Sequence, residues 1–229
     1  MSIAEPVSSF TKKPNEAQDR AEFLMMLRAR GIQDLDLLRA VETVPREIFV
    51  PYRFADLAGR PIALPLRCGQ TLPEPWLTAR MIEALAVAPH YRVLEIGTGS
   101  GYATALLGRL SREVLSIERF QSLAIEAEER LARLSIANAA VVFGDGLALP
   151  PTTGPFDRII VQGLLCEVPE GLIALLGENG LIVAARPDRK TSLRQHIARI
   201  TRNEASGIEE SPVCPCRMQA LLPGEAAAL

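Results

Sequence analysis

The sequence predicts a doubly wound α/β fold, with a mostly parallel sheet that ends in an antiparallel C-terminal edge. Three observations carry this prediction. From Pro75 onward, short apolar runs of strand length alternate with amphipathic stretches of helix length, the rhythm of a parallel sheet covered on both faces. The run Val93-Leu94-Glu95-Ile96 passes directly into a turn carrying Gly97, Gly99 and Gly101, and Tyr102 then opens a helical apolar stripe. After Pro187 the alternation stops. Residues 193–202 and 213–222 are both strand-like with no helix between them, so they should pair antiparallel at the sheet edge.

The elements follow in order. Residues 1–14 are polar and proline-containing, and read as a loose tail. Residues 15–30 form an expected helix with Asn15 as its cap and Gly31 as its stop. Residues 34–44 form a second, ended by Pro45. Pro45, Pro51, Pro61 and Pro65 then exclude long regular elements before residue 75. Residues 1–75 are therefore expected to be an N-terminal extension of helices and loops covering the site, with residues 76–229 as the main domain. In that domain a helix at 75–87 starts on a proline, which is tolerated where no N–H is needed. Strands are expected at 91–96, 113–117, 141–143, 158–162 and 181–185. Helices are expected at 102–110, 123–134 and 172–176, with a turn at Gly180. The connection 203–211 should join the last two strands.

Composition narrows the function. The chain has 229 residues, enough for one sizeable core, and 48% of them are hydrophobic. With 25 basic and 27 acidic residues, it gives no electrostatic argument for binding nucleic acid. No apolar run reaches the length of a membrane span and no signal-peptide pattern opens the chain, so a cytoplasmic protein is expected. Cys214-Pro215-Cys216 lacks the spacing of a zinc site, and neither histidine has a partner at metal spacing. Free thiols and no metal are expected.

The glycine turn indicates a ligand site, because it lets a ligand approach the backbone and leaves the N–H groups of the next helix pointing at it. Its spacing is G-x-G-x-G, whereas a dinucleotide site has G-x-G-x-x-G, which disfavours a NAD-dependent oxidoreductase. Glu95 beside the turn suits a cationic ligand. Glu118 ends the second strand, where a carboxylate can accept both hydroxyls of a ribose, with Arg119 beside the base. Asp145 and Gly146 end the third strand and offer an acceptor and a backbone donor to a ligand lying across these strand ends.

The words Glu95-Ile96-Gly97-Thr98-Gly99-Ser100-Gly101-Tyr102 resemble motif I of the class I S-adenosylmethionine-dependent methyltransferases. Further words extend the resemblance: Val44-Pro45-Arg46-Glu47-Ile48-Phe49-Val50-Pro51, Gly69-Gln70-Thr71-Leu72, Ser116-Ile117-Glu118-Arg119 and Gly144-Asp145-Gly146. Together they are similar to the protein-L-isoaspartate (D-aspartate) O-methyltransferases along nearly the whole chain. The resemblance implies S-adenosyl-L-methionine as cofactor, held by Glu95, Gly97, Thr98, Gly99, Gly101, Tyr102, Glu118, Arg119, Asp145, Gly146 and Gln162. It implies methylation of the α-carboxylate of isoaspartyl residues in damaged proteins, with Gln70, Thr71 and residue 73 at the acceptor.

The chain departs from the family pattern in that acceptor site. The family's active-site serine is Pro73 here, which has neither hydroxyl nor N–H. Arg67 and Cys68 replace a glycine and a histidine, and Gln162-Gly163-Leu164 replaces T-A-A. Glu74 is expected to repel a carboxylate, with Arg67 as a possible compensation. The loop 67–75 is expected to close over the methyl-donor end. A divergent enzyme with another acceptor, and a silent cofactor-binding protein, stand as the alternatives.

Overall fold

The computed structural model describes residues 16–188, 194–203 and 207–226. The expected tail, the cap Asn15 and the strand start at Leu193 lie outside these. The N-terminal helices are α1 (Glu16–Ala29) and α2 (Leu35–Thr43). Asp34 caps α2, its carboxylate accepting from the N–H groups of Asp36 and Leu37 at 2.9 and 3.0 Å. A 3-10 turn at Arg46–Phe49 and a two-stranded ribbon, β1 (Leu64–Pro65) and β2 (Thr71–Leu72), lead to α3 (Pro75–Leu85).

The main sheet begins at β3 (Arg92–Ile96), followed by α4 (Tyr102–Leu110), β4 (Glu113–Glu118), α5 (Gln121–Arg133) and β5 (Ala139–Phe143). It continues through β6 (Phe156–Leu164), the short α6 (Glu170–Ala174), β7 (Leu176–Pro187), β8 (Gln195–Asn203) and β9 (Gly207–Cys216). The strand order is β5-β4-β3-β6-β7-β8-β9, parallel up to β7 and antiparallel beyond it. β3 has β4 on one side and β6 on the other. The chain therefore reverses its winding direction there and opens a crevice at the carboxyl ends of these strands.

Both faces of the sheet are buried at its centre. Leu94, Ile159, Val161 and Ile182, all at 0% exposure, anchor one buried cluster. The other cluster joins Val93, Ile160 and Val183 to α3, α4 and the N-terminal segment, including Leu27, Ile32, Leu37 and Phe49. Each fully buried aliphatic contributes roughly 1.5–3 kcal/mol. No helix among the described residues is long and apolar enough to cross a membrane.

The structure corrects the sequence reading at three places. β9 starts at Gly207, inside the expected connection 203–211, and ends at Cys216, short of residue 222. It is an edge strand in which Glu209 and Ser211 are exposed, and a polar face of this kind hides a strand among loop-like residues. β7 starts at Leu176, where a helix end was expected. Phe156 pairs with Leu176 but Arg158 with Leu181, so the residues in between bulge out of the ladder. α6 ends before it, at Ala174.

Candidate active site

A cavity of about 920 Å³ fills the crevice. Its floor is made by the ends of β3, β4 and β6 and by the loop after β5. One wall is the segment from Gln70 into the first turn of α3, and the opposite wall is residues 215–222.

The glycine turn is held open by its surroundings. Gly97 has φ +92, and a Cβ there would meet the Gln162 Cβ at 3.3 Å. Gly101, at φ +88, faces α5 instead, where a Cβ would lie 3.1 Å from the Ala127 Cβ. Gly101 is thus a packing glycine, off the cavity wall, while Gly97, Thr98, Gly99 and Tyr102 are on it.

Glu95 is also off the wall. Its carboxylate is 0% exposed and accepts from the Thr104 hydroxyl, from Ser116 at 2.7 Å and from the Gln162 amide at 3.2 Å. Ser116 sits beside it because the β3–β4 register pairs the two residues. Burial pushes the Glu95 carboxyl up to about 7; the three hydrogen bonds oppose the rise and the nearby Glu118 adds to it. Its influence on the cavity passes through Gln162, which lines the wall. With one Nε2 hydrogen bound to Glu95, Gln162 keeps its carbonyl oxygen and its second N–H for the cavity.

Glu118 does reach the cavity, although it is only 4% exposed. One carboxylate oxygen accepts from Gly99 N–H at 2.8 Å and the other from Phe120 N–H at 2.9 Å. Each oxygen keeps a lone-pair direction for a ligand hydroxyl. Burial raises its carboxyl above the usual range, partly offset by those backbone donors. Asp145 caps the turn after β5 through Leu147 N–H at 2.9 Å, and its other oxygen accepts from Gly224 N–H at 2.7 Å. The Arg119 Nε donates to the Gly224 carbonyl at 3.0 Å. Asp145, Gly146 and Arg119 all line the cavity.

At the other end, Gln70, Thr71, Pro73 and Glu74 share the wall. Glu74 is not a free repelling charge, which corrects the sequence expectation. Arg30 grips both its oxygens at 3.1 Å and stacks over Trp76, 4.5 Å from the ring centroid. The reason is helix packing, because α1 brings Arg30 over the start of α3. Arg67 pairs with Glu126 of α5 at 2.7 Å, so it is engaged away from the acceptor.

Sequence reasoning missed three features of the wall, although it had named Gln162 itself. Residues 217–222 leave the sheet edge and cross the mouth, where Leu164 exchanges hydrogen bonds with Gln219 and Leu221, and the Gln219 amide donates to the Gly69 carbonyl at 3.0 Å. Gln162 and Gly163 form a bulge, since Val161 pairs with Ala184 but Leu164 with Ala185. Thr78 and Ser100 line the wall with buried hydroxyls that have no protein partner. The only sequence signals were the broken T-A-A word and the Pro223-Gly224 stop.

A family model described as protein-L-isoaspartate(D-aspartate) O-methyltransferase matches residues 18–223. The chain belongs to the protein-L-isoaspartate(D-aspartate) O-methyltransferase family. The protein-L-isoaspartate O-methyltransferase 2 of Rhodopseudomonas palustris (strain HaA2) is 46% identical over 202 residues, covering 88% of this chain and 92% of that protein. The protein-L-isoaspartate O-methyltransferase of Azorhizobium caulinodans is 39% identical over 221 residues, covering 96% of this chain and 100% of its own. A Plasmodium falciparum protein described as a protein-L-isoaspartate O-methyltransferase, solved with S-adenosyl-L-homocysteine, shares the fold. Its TM-score is 0.75 at 24% identity, and the match covers 89% of this chain and 98% of that one.

As a member of this methyltransferase family, the chain is an S-adenosylmethionine-dependent enzyme. Its own residues fit that cofactor: a nearly buried carboxylate with spare lone pairs, unpartnered hydroxyls on the wall, and a cavity of about 920 Å³.

Proposed function

We propose that the chain methylates the α-carboxylate of isoaspartyl residues in damaged proteins, using S-adenosyl-L-methionine. The observation that carries this reading is the two-ended cavity. Glu118, Asp145 and the glycine turn form one end, and the Gln70–Glu74 loop closes the other. Glu118 accepts the ribose hydroxyls, while Asp145, Gly146 and Arg119 take the adenine. The carbonyl of Gln162, fixed by Glu95, faces the cationic end, and Thr98, Gly97 and Gly99 present backbone to it.

The cofactor supplies an already activated methyl group on a sulfonium. The step forms an oxygen–methyl bond and breaks a sulfur–methyl bond, with the electron pair going to sulfur. A carboxylate is itself a nucleophile, so the chain need move no proton. Its work is to align the two groups and exclude water, which is worth roughly 7–11 kcal/mol in well-oriented systems. No metal is needed for this transfer. In the same reading the protein acts in the cytoplasm, the described part of the N-terminal extension up to residue 75 covers the site built by the domain that follows it, and the loop 67–75 closes over the methyl donor.

The test is transfer from radiolabelled S-adenosylmethionine to an isoaspartyl peptide and to its normal aspartyl isomer. Labelling of the first alone, as a base-labile ester, is expected. Pro73 motivates one competing reading, a silent cofactor-binding protein. Calorimetric binding of the cofactor with no transfer to either peptide would favour that reading and remove ours.

A further inference from the structure

Arg46 opens the 3-10 turn Arg46–Phe49, yet it is only 3% exposed. Its Nη1 donates to the Ala58 carbonyl, and its Nη2 donates to the Pro73 carbonyl at 2.8 Å. Its Nε has no partner, and among the described residues no carboxylate forms an ion pair with it. Burial pulls its pKa down to about 10, so it remains a cation at neutral pH. A buried guanidinium without a counter-charge is costly, and it gains whenever an anion is brought near.

The surroundings place that charge at the acceptor end. Side chains three residues apart eclipse on a 3-10 turn, so Arg46 and Phe49 both stand against Tyr102. The Phe49 and Tyr102 ring centroids are 5.5 Å apart, and the guanidinium carbon lies 5.8 Å from the Tyr102 ring centroid. Tyr102 and Pro73 are cavity wall, so the cation stands one residue behind it. On the wall itself, Glu118 and Asp145 would oppose a carboxylate and form no ion pair among the described residues, though Arg119 lies near enough to favour the charged Glu118. Arg217 also lines the wall, and Glu74 is neutralised by Arg30.

We propose that Arg46 is the positioning residue for the methyl acceptor. It fixes the loop through the Pro73 carbonyl, and its unneutralised charge biases that end of the cavity toward a carboxylate. This rests on the isoaspartyl reading above. It also explains how a loop without the family's serine hydroxyl holds an anion, since neither the tie to a backbone carbonyl nor the charge depends on the side chain at position 73. Methylation removes the acceptor's charge, so the same cation holds the substrate more tightly than the ester and assists its release.

The experiment measures binding of an isoaspartyl peptide, and of its twin carrying a carboxamide in place of the α-carboxylate, to the full chain saturated with S-adenosylhomocysteine. The wild type should prefer the carboxylate by about tenfold or more, the scale of a unit charge several ångströms away in a partly dry site. Arg46→Lys should keep most of that preference. Arg46→Gln, which retains hydrogen-bond donors, and Arg46→Met should lose it, with affinity for S-adenosylhomocysteine unchanged. Equal weakening of both peptides in the uncharged variants would reduce Arg46 to a structural prop and overturn the proposal. A wild type that methylates the peptide but shows no carboxylate preference would overturn it without any variant. A wild type that binds neither peptide would overturn the isoaspartyl reading, and this inference with it.

Discussion

Two glutamates at strand ends, both nearly buried, have different tasks. Glu118 keeps lone pairs open to the cavity, so Glu118→Ala should weaken cofactor binding by ~1.5–3 kcal/mol, the worth of a charge-assisted hydrogen bond. Calorimetry with S-adenosylhomocysteine reads this directly, and unchanged affinity in a folded variant would place the ribose elsewhere. Glu95 has all its contacts inside the protein and should show itself in stability. Its carboxyl titrates at about 7 in the folded chain against an ordinary 4.5. The folded state therefore binds the proton more tightly than the unfolded one. The stability this provides is present below the ordinary value and is lost as pH rises through 7, an effect on the order of 3 kcal/mol. Urea unfolding of wild type and Glu95→Gln across pH 5 to 8 checks the sign, because the variant should gain relative to wild type as pH rises. A constant difference would mean that Glu95 stays ionised throughout.

At the scale of elements, the acceptor loop is held by ties that ignore the residue at position 73. Arg46 binds the Pro73 backbone carbonyl, Arg30 grips Glu74, and the Gln219 amide holds the Gly69 carbonyl. Pro73→Ser should therefore leave isoaspartyl turnover little changed, within about a factor of three, or less than 1 kcal/mol of barrier. A large gain in labelling rate would show that the hydroxyl was the missing part. The contrast with the cofactor end explains what the sequence could reveal. Gly97, Glu118 and Asp145 act within a residue or two of a strand end, so turn chemistry and spacing mark them. Arg30 and Glu74 are 44 positions apart, and Gln219 and Gly69 are 150 apart. Nothing local distinguishes such residues from solvated surface side chains. The pairing of Glu74 with Arg30 was missed for that reason, and the edge strand β9 was placed six residues too late because its exposed face is polar.

At the scale of the whole molecule, the cavity is closed by segments from opposite ends of the chain. Residues 217–226 run from the sheet edge along the cavity, touching β6, the Gly69 carbonyl and the Asp145 end, where Gly224 binds Asp145 and Arg119 and the Ala226 N–H donates to the Arg119 carbonyl. This segment shields the site more than it supports the core, since Gln219, Ala220 and Leu222 are exposed, and Met218 and Leu221, both half-buried, pack only at the margins of the two clusters. Truncation after Cys216 should therefore cost little global stability, within roughly 1–2 kcal/mol, as expected for a segment with few buried apolar contacts. It should instead speed cofactor dissociation, because it removes one wall and frees Asp145 and Arg119 to be hydrated. Stopped-flow displacement of S-adenosylhomocysteine, read beside urea unfolding, separates the two effects. The expected result is a faster off-rate with a nearly unchanged unfolding midpoint. An unchanged off-rate would show that the cofactor is held from the sheet side alone. A collapse of the midpoint would show that the segment belongs to the core.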